Sequence, residues 1–442
     1  MSGFVVRADS RSPAKDRQQD HERVPGRQIC RGTLPAMTAS QGPARQAFPS
    51  PQELLSAARE ILPWMSEIRR DFHRHPELGL EEHRTAGRIQ ALLDELGIEH
   101  VDGLGGTGVL GTIRGSSEGP VVALRADMDA LPLQDAKDVP YRSQVPGKMH
   151  ACGHDVHMAV LLGAARLLSG MADALPGTAK LIFQPAEETV GGAKLLIEEG
   201  VLESPAVDAI FGLHVDGSHE VGTFGLHYGQ RNASSDNVDI IVHGRSGHGA
   251  YPAGGVDAIV VAAQVVTALQ TVVSRNVDAR DSAVVSFGKI QGGSQGNILA
   301  DRVGLVGTVR CLDPAIRELV VRRVRETAEG VAAAMGGRAE VDIEPSYDPL
   351  INDNRMVDVV RENARDLVGE ENVFVFPTPN MGVEDFAYYL SHVPGAFFVL
   401  GVRNESAGIV ATVHQASFDV DEECMAYGAA VQVLNALSVL GR

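Results

Sequence analysis

The chain has 442 residues, 44% of them apolar, with 39 Lys+Arg against 57 Asp+Glu, so the net charge is 39 − 57 = −18. That length fits two or three domains with a real core, and the acidity argues against nucleic acid or an anionic membrane as partner, since both are held through clustered Lys and Arg. The four cysteines, Cys30, Cys152, Cys311 and Cys424, are too few for a disulfide framework and fit a reducing cytoplasm.

Residues 1–50 hold eight Lys/Arg and four Asp/Glu with many Gln, Ser and Pro, and contain no apolar stretch of the kind a secretory signal needs. They read as a disordered leader. Helical periodicity follows over 52–72 and 81–96, the second helix closing on Gly97. Short apolar runs then alternate with turns and helices. The predicted strands are 108–113, 121–124, 179–183, 209–213 and 221–226; the predicted helices are 154–168 and 193–199. This alternation implies an α/β domain on a largely parallel sheet flanked by helices.

At about Ser234 the pattern changes, with Val238, Ile240 and Val242 alternating with polar residues as in a half-buried strand. A helix over 256–274, strands over 283–290 and 303–310, a helix over 314–335 and a strand over 339–343 complete a β-α-β-β-α-β order, a ferredoxin-like unit. The stretch 258–269, interrupted by Gln264, reads as a buried helix, and no apolar run approaches the roughly 20 residues that span a bilayer. After Tyr347 the chain returns to α/β character and ends in a helix with Tyr427, Val431 and Leu434 on one side. The expected division is a catalytic domain over 51–233 and 347–442, split by an inserted domain over 234–346.

Ionisable residues fall just past the predicted strand ends: Asp127 and Asp129 after the strand at 121, Glu187 and Glu188 after the strand at 179, His214 after the strand at 209. Ligands of open α/β sheets bind at that edge, so these residues are expected to share one cleft. Cys152 and His154 flank a glycine at the start of a helix, and they reach one centre only if that segment is a tight turn. Thiolate, imidazole and carboxylate together suit zinc or a neighbouring transition metal. The adjacent carboxylates of Glu187 and Glu188 repel unless a cation lies beside one of them. The other is then free to take a proton from a water whose pKa a metal lowers from about 15.7 toward about 7. Each feature alone has a plain structural reading, as a surface turn, an incidental cysteine, a core histidine or a strand cap. The metal reading rests on all of them meeting at one edge. No glycine-rich phosphate loop is present, and Cys152 as a nucleophile would leave the Glu187–Glu188 pair unexplained.

The segments RADMDALP (125–132), MHACGHD (149–155), QPAEE (184–188) and GLH (212–214) resemble those of the metallopeptidase family that contains aminoacylases, hippurate hydrolases and plant auxin-conjugate amidohydrolases. The match extends to HRHPE (73–77), GHGAYP (247–252), GVEDF (382–386) and VHQ (413–415), eight motifs in order over about residues 53–440. The resemblance implies two divalent ions per subunit, Zn²⁺ or Mn²⁺, held by Cys152, His154, Glu188, His214 and His414. It also implies Glu187 as general base, Asp129 as a carboxylate that orients a ligand, and His248 as a transition-state histidine often supplied by the partner subunit. Asn297 and Arg310 are implied as substrate contacts. The inserted domain is implied to be a lid or dimerisation domain, making a homodimer. Most branches of that family place a metal-binding His where Asp127 stands, and an Asp in the segment of Cys152. The cysteine pattern resembles the hippurate and auxin-conjugate branch, argues against the dipeptidase and desuccinylase branches, and leaves the bridging ligand open. The expected function is hydrolysis of the amide of a small N-acyl amino acid or related conjugate. Two rivals are an exopeptidase on unblocked peptides and a non-catalytic binding protein of the same fold.

Overall fold

A computed structural model of the chain describes residues 48–441, so nearly all of the expected leader lies outside the described residues. Ser50 belongs to the first helix instead: its hydroxyl accepts from the backbone of Glu53 while the Glu53 carboxylate accepts from the Ser50 backbone. That helix, α1 (Pro51–Glu60), ends at Ile61, and α2 (Leu62–Arg74) starts with Pro63 in its first turn. A single helix over 52–72 is therefore not formed, because Pro63 has no N–H to give to the preceding turn and its ring clashes there. The third helix, α3 (His83–Glu95), closes as expected, with Gly97 at φ 67°.

The main sheet uses β1 (Glu99–Leu104), β2 (Gly108–Arg114), β3 (Ser117–Asp127), β4 (Pro176–Gln184), β5 (Ala209–Glu220) and β6 (Phe224–Leu226). After β7 (Gly229–Asn232) and the inserted unit, it is completed from the last third of the chain, and its centre is four parallel strands in the order β4, β3, β5 and Gly395–Arg403. Side chains alternate across it. Val122, Leu124 and Phe211 join one buried cluster, with α4 (His154–Ser169) and the terminal helix Cys424–Leu440. Val121, Ala123 and Ile210 join another, with α5 (Gly192–Glu198) and the short helix Phe386–Leu390. Burial on both faces explains why these strands are largely apolar, with Lys180 and Arg125 as buried exceptions.

Between them the chain forms β8 (Asp236–His243), β9 (Gly247–His248), α6 (Ala258–Asn276), β10 (Ala283–Gly292), β11 (Ile298–Leu299), β12 (Arg302–Cys311), α7 (Pro314–Ala334) and β13 (Arg338–Pro345). The antiparallel sheet order β10-β12-β8-β13 is the ferredoxin-like arrangement, with its own core around Val238, Ile240, Val242, Val265 and Val324. Only one face of α6 is buried: Val261, Val265 and Leu269 meet the sheet, while Ile259 and Val260 stay about half exposed. The helix is long and apolar enough to cross a membrane by length and composition. Its one-sided packing on this sheet accounts for the apolar residues it buries.

The chain then returns through β14 (Leu350–Asn352), α8 (Asn354–Val368), β15 (Val373–Val375), α9 (Phe386–Leu390), β16 (Gly395–Arg403) and α10 (Cys424–Leu440). The three described cysteines, Cys152, Cys311 and Cys424, are free buried thiols.

Candidate metal centre

Cys152 lies in the bend that leads into α4. Gly153 caps the helix at φ 90°, and a Cβ there would lie 2.3 Å from Val215 Cγ2, so the turn that joins Cys152 to His154 needs glycine. The expectation that His214 follows the end of its strand is not met: His214 lies within β5. β5 runs on to Glu220 because β16 continues to pair with it, His214 opposite Val399. β3 pairs with β5 only as far as Arg125 opposite Gly212, so His214 stands two residues past that pairing, level with Asp127 at the end of β3.

Cys152 Sγ lies 3.3 Å from His214 Nε2 and 3.3 Å from His414 Nε2. His414 Nε2 is 3.2 Å from Glu188 Oε1. Two donor groups thus share one thiol: Cys152, His154 and His214, and Cys152, Glu188 and His414, with ligand atoms within 4.8 Å of one another in each. The backbone is held for this. His414 and Ala186, which precedes Glu187, both have positive φ (63° and 56°), a conformation that costs about 1–2 kcal/mol per non-glycine residue. His414 N is fixed on Ala151 O at 2.7 Å.

Asp129 organises the other side. Its two oxygens accept from Glu187 N (3.1 Å) and Glu188 N (3.0 Å), and His154 Nδ1 lies 3.3 Å away. Asp127 binds inward, to Arg125 Nη1 and to His157 Nδ1, both at 2.6 Å. His157 Nε2 accepts from Val215 N, which fixes its proton on Nδ1. His214 Nδ1 donates to Val215 O at 2.7 Å, leaving Nε2 free as a donor atom toward the thiol.

The electrostatics call for a cation. Both nitrogens of buried His154 and Oε1 of Glu188 make no hydrogen bond and have only ion-pair contacts, to Asp129, Asp127 and His414, which leaves their hydrogen-bonding capacity open to another partner. Burial works against charge on His154, yet Asp127, Asp129 and Glu188 outweigh it and raise its pKa to about 10. Burial pushes His214 down to about 3, a neutral imidazole ready to ligate. Burial, then Glu384, Asp385, Glu188 and Asp129, raises the Glu187 carboxyl well above the usual range, as suits a proton acceptor. Soft and hard donors, orphaned and gathered, fit divalent metal ions.

Of the residues expected at the site, Cys152, His154, Glu187, Glu188, His214, His414, Asp127 and Asp129 converge, and Arg310 lines the same cleft of about 1250 Å³. His248 and Asn297 do not. They sit side by side, His248 exposed in β9 and Asn297 just before β11, where Gly249 N bonds Asn297 O and His248 pairs with Ile298. Sequence reading missed the supporting network: Arg125 is fully buried and bonds Gln184, Asp127 and Asp385, and Tyr347 donates to Glu187 O at 2.7 Å. His157, three residues after His154 on one helix face, carried a readable signal.

Residues 123–437 match Peptidase family M20/M25/M40. The chain is 42% identical over 355 residues to the N-acetyl-L-cysteine deacetylase of Bacillus subtilis, covering 80% of this chain and 83% of that one. It is 38% identical over 390 residues to thermostable carboxypeptidase 1 of Saccharolobus solfataricus, covering 87% and 98%. Among solved structures it is similar to the Bacillus subtilis YXEP protein, described as a dinuclear metal binding peptidase, with a TM-score of 0.76 and 35% identity over 87% of this chain and 99% of that one. The chain belongs to the M20/M25/M40 peptidase family and is a metal-dependent amidohydrolase.

Proposed function

We propose that the chain hydrolyses the amide bond of small N-acyl amino acids or similar conjugates, with two divalent ions, Zn²⁺ or Mn²⁺, held by Cys152, His154, Glu188, His214 and His414. The observation that carries this is the pair of three-donor groups sharing the Cys152 thiol beside a buried, proton-avid Glu187. Cys152 is the one residue that would serve both donor groups. When bound, the metals activate water and polarise the amide carbonyl. Glu187 takes the water proton and delivers it to the leaving amine nitrogen. Asp129 holds the Glu187–Glu188 backbone and His154 in place. A cytoplasmic setting fits the free thiols.

His248, with its Nδ1 accepting from Ala250 N and Nε2 left to face outward, serves the oxyanion of a partner subunit in this proposal. Half-exposed Ile259 and Val260 on α6, and edge strand β10 with exposed Ile290, support a homodimer through the inserted unit. Mixing Glu187→Gln with His248→Ala protein is then expected to restore activity that neither has alone. Proven subunit exchange without recovery would remove the action in trans.

The 38% identity to a carboxypeptidase keeps exopeptidase action as the second reading. Metal-reconstituted protein is expected to hydrolyse N-acetyl or N-benzoyl amino acids faster than dipeptides. The reverse order would favour the exopeptidase, and no hydrolysis of either with added Zn²⁺ or Mn²⁺ would favour a binding protein.

A further inference from the structure

Arg231, on β7, is 8% exposed and lines the cleft that holds Cys152, Glu188 and His214. Its Nε has no hydrogen-bond partner, and its Nη1 donates to Asn232 Oδ1. The acids that act on it at longer range are Glu384 and Asp216, and Glu384 is already paired with Arg125 at 3.3 Å. The guanidinium carbon stands 4.4 Å from the centre of the Phe397 ring, and the same ring lies 6.4 Å from that of His214. A cation is therefore held one aromatic ring away from a metal-ligand histidine. The strand beneath it is fixed, since Arg231 O accepts from Asn380 N at 2.7 Å.

Burying a cation without a counter-ion is costly, and an aromatic face returns only part of that cost. Burial pushes its pKa down to about 10, which still leaves it charged at neutral pH. A second guanidinium stands in the same condition: Arg310, on β12, lines this cleft with its buried Nη1 unbonded. Two guanidiniums, each with a buried nitrogen left unbonded and no ion pair among the described residues, line one cleft, and each can take a carboxylate of its own.

We propose that Arg231 receives a second carboxylate of the substrate, so that the preferred substrates are N-acyl amino acids carrying two acidic groups. This rests on the amidohydrolase reading and narrows it. The second acid belongs either to the amino-acid side chain or to the acyl arm, and the chemistry at Arg231 is the same for both.

The test uses the metal-reconstituted full chain and compares kcat/KM within isosteric pairs. N-acetyl-L-glutamate against N-acetyl-L-glutamine probes the side-chain acid, and N-succinyl-L-methionine against its succinamoyl analogue probes the acyl acid. The wild type is expected to favour the diacid of one pair by about 10–100-fold, the range for a charged hydrogen-bonded contact. Arg231→Met is expected to bring that ratio near one, with the loss concentrated in the KM of the diacid. The wild-type ratio needs no variant, so it holds even if Arg231→Met folds poorly. Ratios near one in both wild-type pairs, or a preference that survives Arg231→Met, would overturn the inference and leave amide hydrolysis intact. A wild type inert toward every amide would instead remove the amidohydrolase reading, and this inference with it.

Discussion

Glu187→Gln is expected to retain its metal and lose about 10²–10⁴-fold in kcat, the range for a positioned acid–base group. The substitution keeps size and shape. The Glu187 backbone N on Asp129 and its carbonyl under the Tyr347 hydroxyl do not involve the side chain, so the turn survives. What is lost is a carboxylate able to take a proton. Four acids, Glu384, Asp385, Glu188 and Asp129, press on this one buried group. Removing its charge relieves repulsion, so the melting temperature is expected to hold or rise. Metal analysis with steady-state kinetics reads both parts. Activity within tenfold of wild type would remove Glu187 from the role of base.

Cys152→Ala is expected to have the larger effect on metal. Its thiol belongs to both donor groups, so its loss weakens both together, by more than the about 10–100-fold that loss of an outer partner costs. Binding to the native state stabilises it by mass action, so added metal should raise the melting temperature of the wild type and scarcely that of the variant. Elemental analysis after dialysis is expected to find both ions depleted. Loss of one ion with full retention of the other would show that the thiol is not shared.

The parallel strands were legible because burial on both faces leaves largely apolar runs, and the inserted unit because Val238, Ile240 and Val242 recur at every second position of β8. The break at Pro63 was legible in principle and passed over, since helical periodicity continues through it. β16, buried along nearly its whole length between β5 and β6, lay unassigned within the α/β character expected after Tyr347. The length of β5 was not readable from β5 itself, because β16, far along the chain, decides it.

The site divides in the same way. Residues whose donor chemistry recurs at strand ends could be gathered from sequence. Arg125 could not, since its partner Asp385 is 260 residues away and the bond leaves no local pattern. Arg231 looks like a surface residue in sequence, and only its burial and missing counter-ion mark it out. His248 and Asn297 stand together on the inserted unit and are not among the residues that line the cleft, a separation that a motif match does not show.

Anomalous diffraction from metal-loaded crystals tests the central claim most directly. Two peaks are expected per chain, one beside His154 and His214 and one beside Glu188 and His414, with the Cys152 sulfur between them. Peaks elsewhere, or none at these side chains in protein that hydrolyses amides, would contradict it.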